Sequence, residues 1–300
     1  TPHVRDEDTD VLCKIHIRPL LSKDEALKCK VLALQYAQES KCWDGGKMDG
    51  TKHTSYNTVD FPLVEFDDND YDNDSDRHAR VADNPLAEYL ESIDFSDRIF
   101  GKLEEAFGIP SEYLEYEDLF CVKYVAKEDD ILGRGMESLD CHRDGTLLSF
   151  NVLLSEAESF SGGGTVFDCL RGCDVMINED SYIMKDGSIT PRNTGDCVLH
   201  SGKLLHGGQT VMSGSRIIVV GFVGIPEWLQ QEGALSNACK RWGRLDVLQK
   251  RLKRQALKMG ENIGYRINTK RWLPSSQAVY SGWYHFVQIS SASFENYQKK

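Results

Sequence analysis

Four side chains in the middle of the chain could carry chemistry together: His142, Asp144, His206 and Arg216. His142-Arg143-Asp144 is the only His-x-Asp triplet among the eight histidines. Residues two apart on an extended segment project to the same side, so this imidazole and this carboxylate can converge on one point. With one further histidine they make a facial set of ligands, the kind that holds Fe(II) on one side and leaves the opposite positions open. Two histidines compete for the third place: His200, at the end of an apolar run, and His206, six residues later. Arg216 follows His206 by ten residues, past a Ser213-Gly214 pair that reads as a turn. A strand, turn and returning strand of this length can bring its guanidinium beside the same pocket. Its fork of N–H donors is suited to gripping a carboxylate through two bonds. A lone HxD is weak, because surface loops produce it easily; the added histidine and arginine are what give it weight.

The elements that must position these groups are mostly short strands. From Leu119 onward, runs rich in β-branched and aromatic residues recur: Leu119 to Val125, Thr146 to Leu154, Gly164 to Phe167, Asp174 to Asn178, Tyr182 to Met184, Cys197 to His200, Gln209 to Met212 and Ser215 to Val223. Turn signals separate them, among them Ser161-Gly162-Gly163-Gly164 and Thr194-Gly195-Asp196. Strands in this rhythm predict a β-sandwich or barrel and not alternating βαβ units. Ahead of them lie a strand-like run from Val11 to Ile17 and a helix over about 22–38, opened by the capping-box spacing of Ser22 and Glu25. Leu27, Val31, Leu32 and Leu34 are its predicted apolar face. A second helical stretch runs from Asn84 to Phe107, broken near Ile93-Asp94. These helices are expected to cover one outer face of the sheets. The predicted division is 1–117 as a segment packing on the core, 118–224 as the core, and 225–300 as a basic helical extension.

Composition bounds the rest. The 300 residues are 40% hydrophobic and 27% charged, which is ordinary globular material with enough apolar surface for a sizeable core. No stretch approaches the ~18 apolar residues of a membrane-spanning helix, and no signal peptide is visible, which leaves the compartment open. Nine cysteines without a CxxC pair read as free thiols. The net charge of −12 is uneven: residues 225–300 hold 13 Lys/Arg against 5 Asp/Glu, a net +8, which leaves −20 for residues 1–224. The acidic run at 67–76 lacks the glycine and the closing glutamate of a calcium loop and reads as solvated. The basic helix expected at 240–258 reads first as packing through Leu245, Leu248 and Leu252, and second as a docking element for a polyanion.

The stretch from about Leu119 to Val223, a third of the chain, resembles the Fe(II)/2-oxoglutarate-dependent dioxygenases, in particular their prolyl 4-hydroxylase-like branch. Four segments carry the resemblance in order: FCVKYVA, LDCHRDG, SGGGTVF and LLHGGQTVMSGSRIIVVGF. It implies a mainly β fold with flanking helices (α+β) and a double-stranded β-helix, or jelly-roll, core. It places His142, Asp144 and His206 as the iron ligands, and it favours His206 over His200, because only His206 is followed by the glycines and the arginine of the pattern. It assigns Arg216 to the distal carboxylate of 2-oxoglutarate and Tyr124 to a hydrogen bond with the same cosubstrate. Asn151, by strand alternation, could face the pocket beside it.

The cofactors so implied are Fe(II), 2-oxoglutarate and O2, with ascorbate as reductant. The activity implied is hydroxylation of an unactivated C–H bond with release of succinate and CO2. A peptide or protein substrate, a prolyl residue foremost, leads over a small molecule. Two departures bear on the substrate: a charged insertion over Ala126 to Ser138, expected to form part of a lid, and a lengthened connection over Cys169 to Arg192. Two rival readings stand beside this one. One is a non-catalytic β-barrel that binds a metal or ligand; the other is a nucleic-acid-modifying oxygenase docking through the basic helix, which the charge of −12 disfavours.

Overall fold

The computed structural model describes residues 15–43, 58–66, 79–131, 135–168, 171, 186–191, 193–230 and 287–289. The acidic run at 67–76, the strands expected at 174–178 and 182–184, Cys169, Cys173 and the basic helix expected at 240–258 lie outside the described residues.

The chain enters through β1 (Ile15–Pro19) and α1 (Lys23–Ser40), then β2 (Asp60–Pro62) and the antiparallel pair β3 (Val64–Phe66) and β4 (Ala79–Val81). Two helices follow, α2 (Pro85–Ser92) and α3 (Phe95–Phe107). Next come β5 (Glu115–Val125), β6 (Leu139–His142), β7 (Leu148–Leu153), β8 (Phe160–Gly162), β9 (Thr165–Phe167), β10 (Ser188–Ile189), β11 (Asp196–Ser201), β12 (His206–Gly208) and β13 (Val211–Gly224). The short α4 (Glu227–Gln230) and β14 (Val287–Ile289) complete the described elements.

Two sheets face each other. The larger has the order β14-β1-β11-β7-β13-β5-β2, and the smaller β10-β9-β12-β6. From β5 to β7 the chain steps from the large sheet to the small one and back. It then runs through β9 and β10 in the small sheet, returns to the large one at β11, crosses to β12 and ends in β13. Antiparallel strands wound in this way are a double-stranded β-helix, the jelly-roll expected from the sequence. The large sheet also draws β1 and β2 from the segment ahead of residue 118.

Strand alternation divides the large sheet's side chains between two clusters. Cys121 of β5, Phe150 and Val152 of β7, and Ile217 and Val219 of β13 join the cluster of the helices, with Leu86, Phe95, Ile99, Leu103 and Phe107. Phe120, Val122 and Tyr124 of β5 and Ile218 of β13 form a second cluster on the opposite face. That face looks toward the small sheet.

The helices begin where their caps say they must. Ser22 Oγ accepts from Glu25 N at 3.2 Å and Glu25 Oε2 accepts from Ser22 N at 2.8 Å, which closes the expected capping box of α1. Asn84 Oδ1 caps α2 through Ala87 N at 2.9 Å, with Pro85 in the first turn. The expected break at Ile93-Asp94 is where α2 gives way to α3.

Two expectations are corrected. The buried residues of α1 are Ala26, Cys29, Ala33 and Ala37, whereas Val31 is 61% and Leu34 40% exposed. A stripe of small residues lets the helix axis approach closely, so the larger aliphatic residues stay at its margin and outside it. Ser213-Gly214 does not turn the chain back: β13 continues through it, pairing with β8 up to Gly214 and with β5 from Ser215 on. Gly214 has φ +73°, and a Cβ there would lie 2.1 Å from the Ser159 carbonyl oxygen, so the strand bends where only glycine fits. Asp129, from the 126–138 insertion, accepts a hydrogen bond from Gly214 N at 2.6 Å and anchors that segment to the bend.

Candidate metal centre

In the small sheet β6 and β12 pair so that His142 and His206 stand directly opposite each other. Their ring centroids are 4.7 Å apart. Asp144 lies just past the end of β6, held there by its backbone N–H, which donates to Gly202 O at 2.8 Å. One ligand atom from each of the three residues falls within 4.8 Å of the others, the one such group of potential metal ligands among the described residues.

The hydrogen bonds around the group fix its tautomers. His142 Nδ1 sits 2.7 Å from Asp140 O, and His206 Nδ1 2.8 Å from Leu204 O. A carbonyl can only accept, so each neutral ring carries its proton on Nδ1 and keeps its Nε2 lone pair. Those two Nε2 atoms lie 3.4 Å from Asp144 Oδ1 and Oδ2 respectively. Asp144 Oδ2 also accepts from the hydroxyl of Ser149, while Oδ1 is buried and makes no hydrogen bond. With both rings neutral, lone pairs on two nitrogens and a carboxylate converge on one point. Such an arrangement is repulsive unless a cation sits among them, and nitrogen with carboxylate oxygen is a donor set for a first-row divalent metal. The residues present fit Fe(II).

Electrostatics follow the same lines. Burial pushes the Asp144 carboxyl up, but the His142 and His206 imidazoles, with His200 and the Ser149 hydroxyl, outweigh it and bring it to about 2. Burial pulls the His142 ring down, yet Asp144 and the Asp140 carbonyl leave it raised. His206 is lowered, chiefly by burial.

The group lies in a cavity of about 350 Å³ between the two sheets. One wall is the inward face of β5 and β13, including Phe120, Val122, Tyr124, Ile218, Val220 and Phe222. Arg216 lines the same cavity, only 2% exposed and opposite Tyr124 in the β13–β5 register. Its Cζ lies 5.7 Å from the centre of the Tyr124 ring. Among the described residues no carboxylate pairs with this guanidinium. Its one hydrogen bond runs from an Nη to Asn151 Oδ1 at 3.4 Å, and its Nε has no partner. Burial lowers it to about 10, and burial lifts the Tyr124 phenol to about 12. Leaving a buried cation uncompensated costs several kcal/mol, so this wall of the cavity calls for an anion.

The structure brings His142, Asp144, His206, Arg216 and Tyr124 to one cavity, as the sequence anticipates. His200 lines it too, with its ring centroid 4.4 Å from that of His206 and edge-on to Phe167. It stands outside the ligand group, and burial holds it down at about 3. Ser149 is the residue that sequence reasoning missed. Its only signal is its place in β7, inward-facing by alternation with Asn151.

No family model matches the chain. Among curated proteins, it is 25% identical over 173 residues to 2-oxoglutarate and iron-dependent oxygenase domain-containing protein 2 of Xenopus tropicalis. That match takes in 54% of this chain and 43% of the relative, so the chain spans less than half of the relative's length. Among solved structures, the viral collagen prolyl hydroxylase of Paramecium bursaria Chlorella virus-1 aligns at 17% identity and a TM-score of 0.40, covering 70% of this chain and 95% of that one. A Pseudomonas putida prolyl-4-hydroxylase aligns at 11% identity and a TM-score of 0.40, covering 74% and 97%. In sequence, in its jelly-roll topology and in its His-Asp-His group, the chain resembles the 2-oxoglutarate- and iron-dependent oxygenases, a family that implies Fe(II), 2-oxoglutarate and O2.

Proposed function

We propose that the chain hydroxylates an unactivated C–H bond as an Fe(II)- and 2-oxoglutarate-dependent dioxygenase, with a prolyl residue of a peptide or protein as its substrate. The observation that carries the reading is the meeting, in one cavity, of a His-Asp-His group with a buried arginine that has no acid partner among the described residues. A metal alone accounts for the first and an anion alone for the second; a metal-chelating dicarboxylate accounts for both. The substrate part rests on the prolyl 4-hydroxylase-like order of the four sequence segments.

His142, Asp144 and His206 are the proposed ligands, oriented by the Asp140 and Leu204 carbonyls and by Ser149. Bound there, iron supplies the oxidative decarboxylation of 2-oxoglutarate to succinate and CO2, with the second oxygen atom of O2 going to the substrate. Arg216 holds the distal carboxylate of 2-oxoglutarate, and the Tyr124 hydroxyl, from the same cavity, donates to the cosubstrate. The apolar wall of Phe120, Val122, Ile218 and Val220 keeps water from the reacting end, and in such surroundings an arginine–carboxylate pair is far stronger than at a surface. The chain's own contribution is geometry, charge and dryness.

Proline-containing peptides incubated with Fe(II), 2-oxoglutarate and isotopically labelled O2 test the substrate part. One labelled oxygen atom on a prolyl residue, formed by wild type and not by Asp144→Ala, is the expected result. Transfer to another side chain or to a small molecule refutes the prolyl assignment and leaves the oxygenase.

A further inference from the structure

Asn151 is, among the described residues, the sole hydrogen-bond acceptor of the Arg216 guanidinium. It stands on β7, 5% exposed, and its Nδ2 donates at 3.2 Å to Thr165 Oγ1 on β9 of the opposite sheet. The orientation of its amide follows from chemistry. Guanidinium only donates and a hydroxyl does either, so Oδ1 must face Arg216 and Nδ2 must face Thr165. The backbone passes close to the arginine's stem: a Cβ on Gly163, whose φ is +69°, would lie 3.2 Å from Arg216 Cδ. The fork is thus bonded at one nitrogen, with its stem close to Gly163, while its remaining donors have no partner among the described residues.

We propose that Asn151 is a positioning residue whose value lies in being neutral. It aims the Arg216 fork into the cavity without cancelling its charge, so the first carboxylate to reach the guanidinium is the ligand's. The inference rests on the oxygenase reading above. An aspartate of the same shape would satisfy the arginine from within and close the anion site. An alanine would leave the charge available and the fork unaimed.

Asn151→Asp and Asn151→Ala separate this role from a merely structural one. Two measurements are made on each: thermal unfolding of the metal-free protein, and calorimetric titration of the Mn(II)-loaded protein with 2-oxoglutarate. In Asn151→Asp the buried guanidinium gains a carboxylate. Its melting temperature is expected to rise above wild type while 2-oxoglutarate affinity falls by about 100-fold or more, the scale of a lost buried charge pair. In Asn151→Ala the melting temperature is expected to fall and the affinity to drop about 10-fold, the scale of one hydrogen bond to a charged group. Mn(II) binding stays unchanged in both. If Asn151 only tied the two sheets together, both variants would melt lower and lose affinity in proportion. That result overturns the inference, as does wild-type affinity in either variant, which also decides the matter if Asn151→Asp does not fold. Wild-type protein that binds no 2-oxoglutarate overturns the oxygenase reading and this inference with it; affinity retained in the variants overturns this inference alone.

Discussion

Ser149→Ala isolates what holds the metal centre in shape. Ser149 lies on β7, buried and opposite His200 in the β11 register, and its hydroxyl donates to Asp144 Oδ2. A hydrogen bond to a charged acceptor contributes about 1.5–3 kcal/mol. At about 1.4 kcal/mol per tenfold, that equals a 10- to 100-fold change in an equilibrium constant. The same range is observed when the outer partner of a metal-bound group is removed. The backbone anchor of Asp144, its N–H to Gly202 O at 2.8 Å, survives the substitution, so the carboxylate stays in the cavity and loses only its orientation. Fe(II) or Mn(II) affinity, measured by competition with a chelator of known strength, is therefore expected to fall 10- to 100-fold in Ser149→Ala. The affinity of the metal-loaded protein for 2-oxoglutarate, which depends on the Arg216 wall, should hardly move. Unchanged metal affinity would mean that the Ser149–Asp144 bond plays no part in ligation. A loss far beyond 100-fold would mean that the hydroxyl shapes more of the site than one oxygen.

Further outcomes follow from the same geometry. Arg216→Met removes a buried charge that has no acid partner among the described residues, so metal-free protein should gain about 1–4 kcal/mol, or a few degrees in Tm, while the 2-oxoglutarate requirement rises at least about 100-fold; a lower Tm would show that the arginine is paired after all. His206→Ala should abolish metal binding, whereas His200→Phe, which keeps an aromatic ring against Phe167 and His206, should retain it; the reverse pattern, read by metal titration, would exchange the two histidines' roles. Asp196 is pushed up to about 6 by burial, against 3.8 for the free group. An acid raised on folding favours the native state below its unfolded pKa and forfeits that contribution as pH rises through the folded value. Asp196→Asn should therefore gain on the order of 2 kcal/mol at pH 7 and nothing at pH 4, checked by urea unfolding at both. Gly214→Ala, with φ +73° and a carbonyl oxygen 2.1 Å from the new Cβ, should lose about 1–3 kcal/mol in the same assay.

Much of this site was legible because jelly-roll geometry turns short sequence patterns into positions. The His142-Arg143-Asp144 triplet and His206 end up together because β6 and β12 are antiparallel neighbours that set the two histidines opposite each other. Alternation along β5 and β13 points Tyr124 and Arg216 into one cavity, and the same rule applied to β7 places Asn151 and Ser149 there. What alternation could not supply was partnership. Nothing in the order of residues says that Ser149 reaches back across a five-residue separation to Asp144, or that Arg216 finds only the Asn151 amide, 65 residues away, among the described residues. The small-residue stripe of α1 was hidden for a related reason, because hydrophobic pattern marks the bulky residues and close packing, here against α2, selects the small ones. At Ser213-Gly214 the local chemistry reads as a turn, but the β8 and β5 partners on either side keep one strand going through it.

The central claim is tested most directly by succinate. Purified protein is incubated with 2-oxoglutarate and O2, with and without Fe(II), beside His142→Ala, with proline-containing peptides present throughout. Succinate that requires iron, grows with peptide and disappears in His142→Ala is the result expected. A folded, iron-loaded protein that binds 2-oxoglutarate and forms no succinate under any of these conditions would contradict it and mark the cavity as a binding site alone.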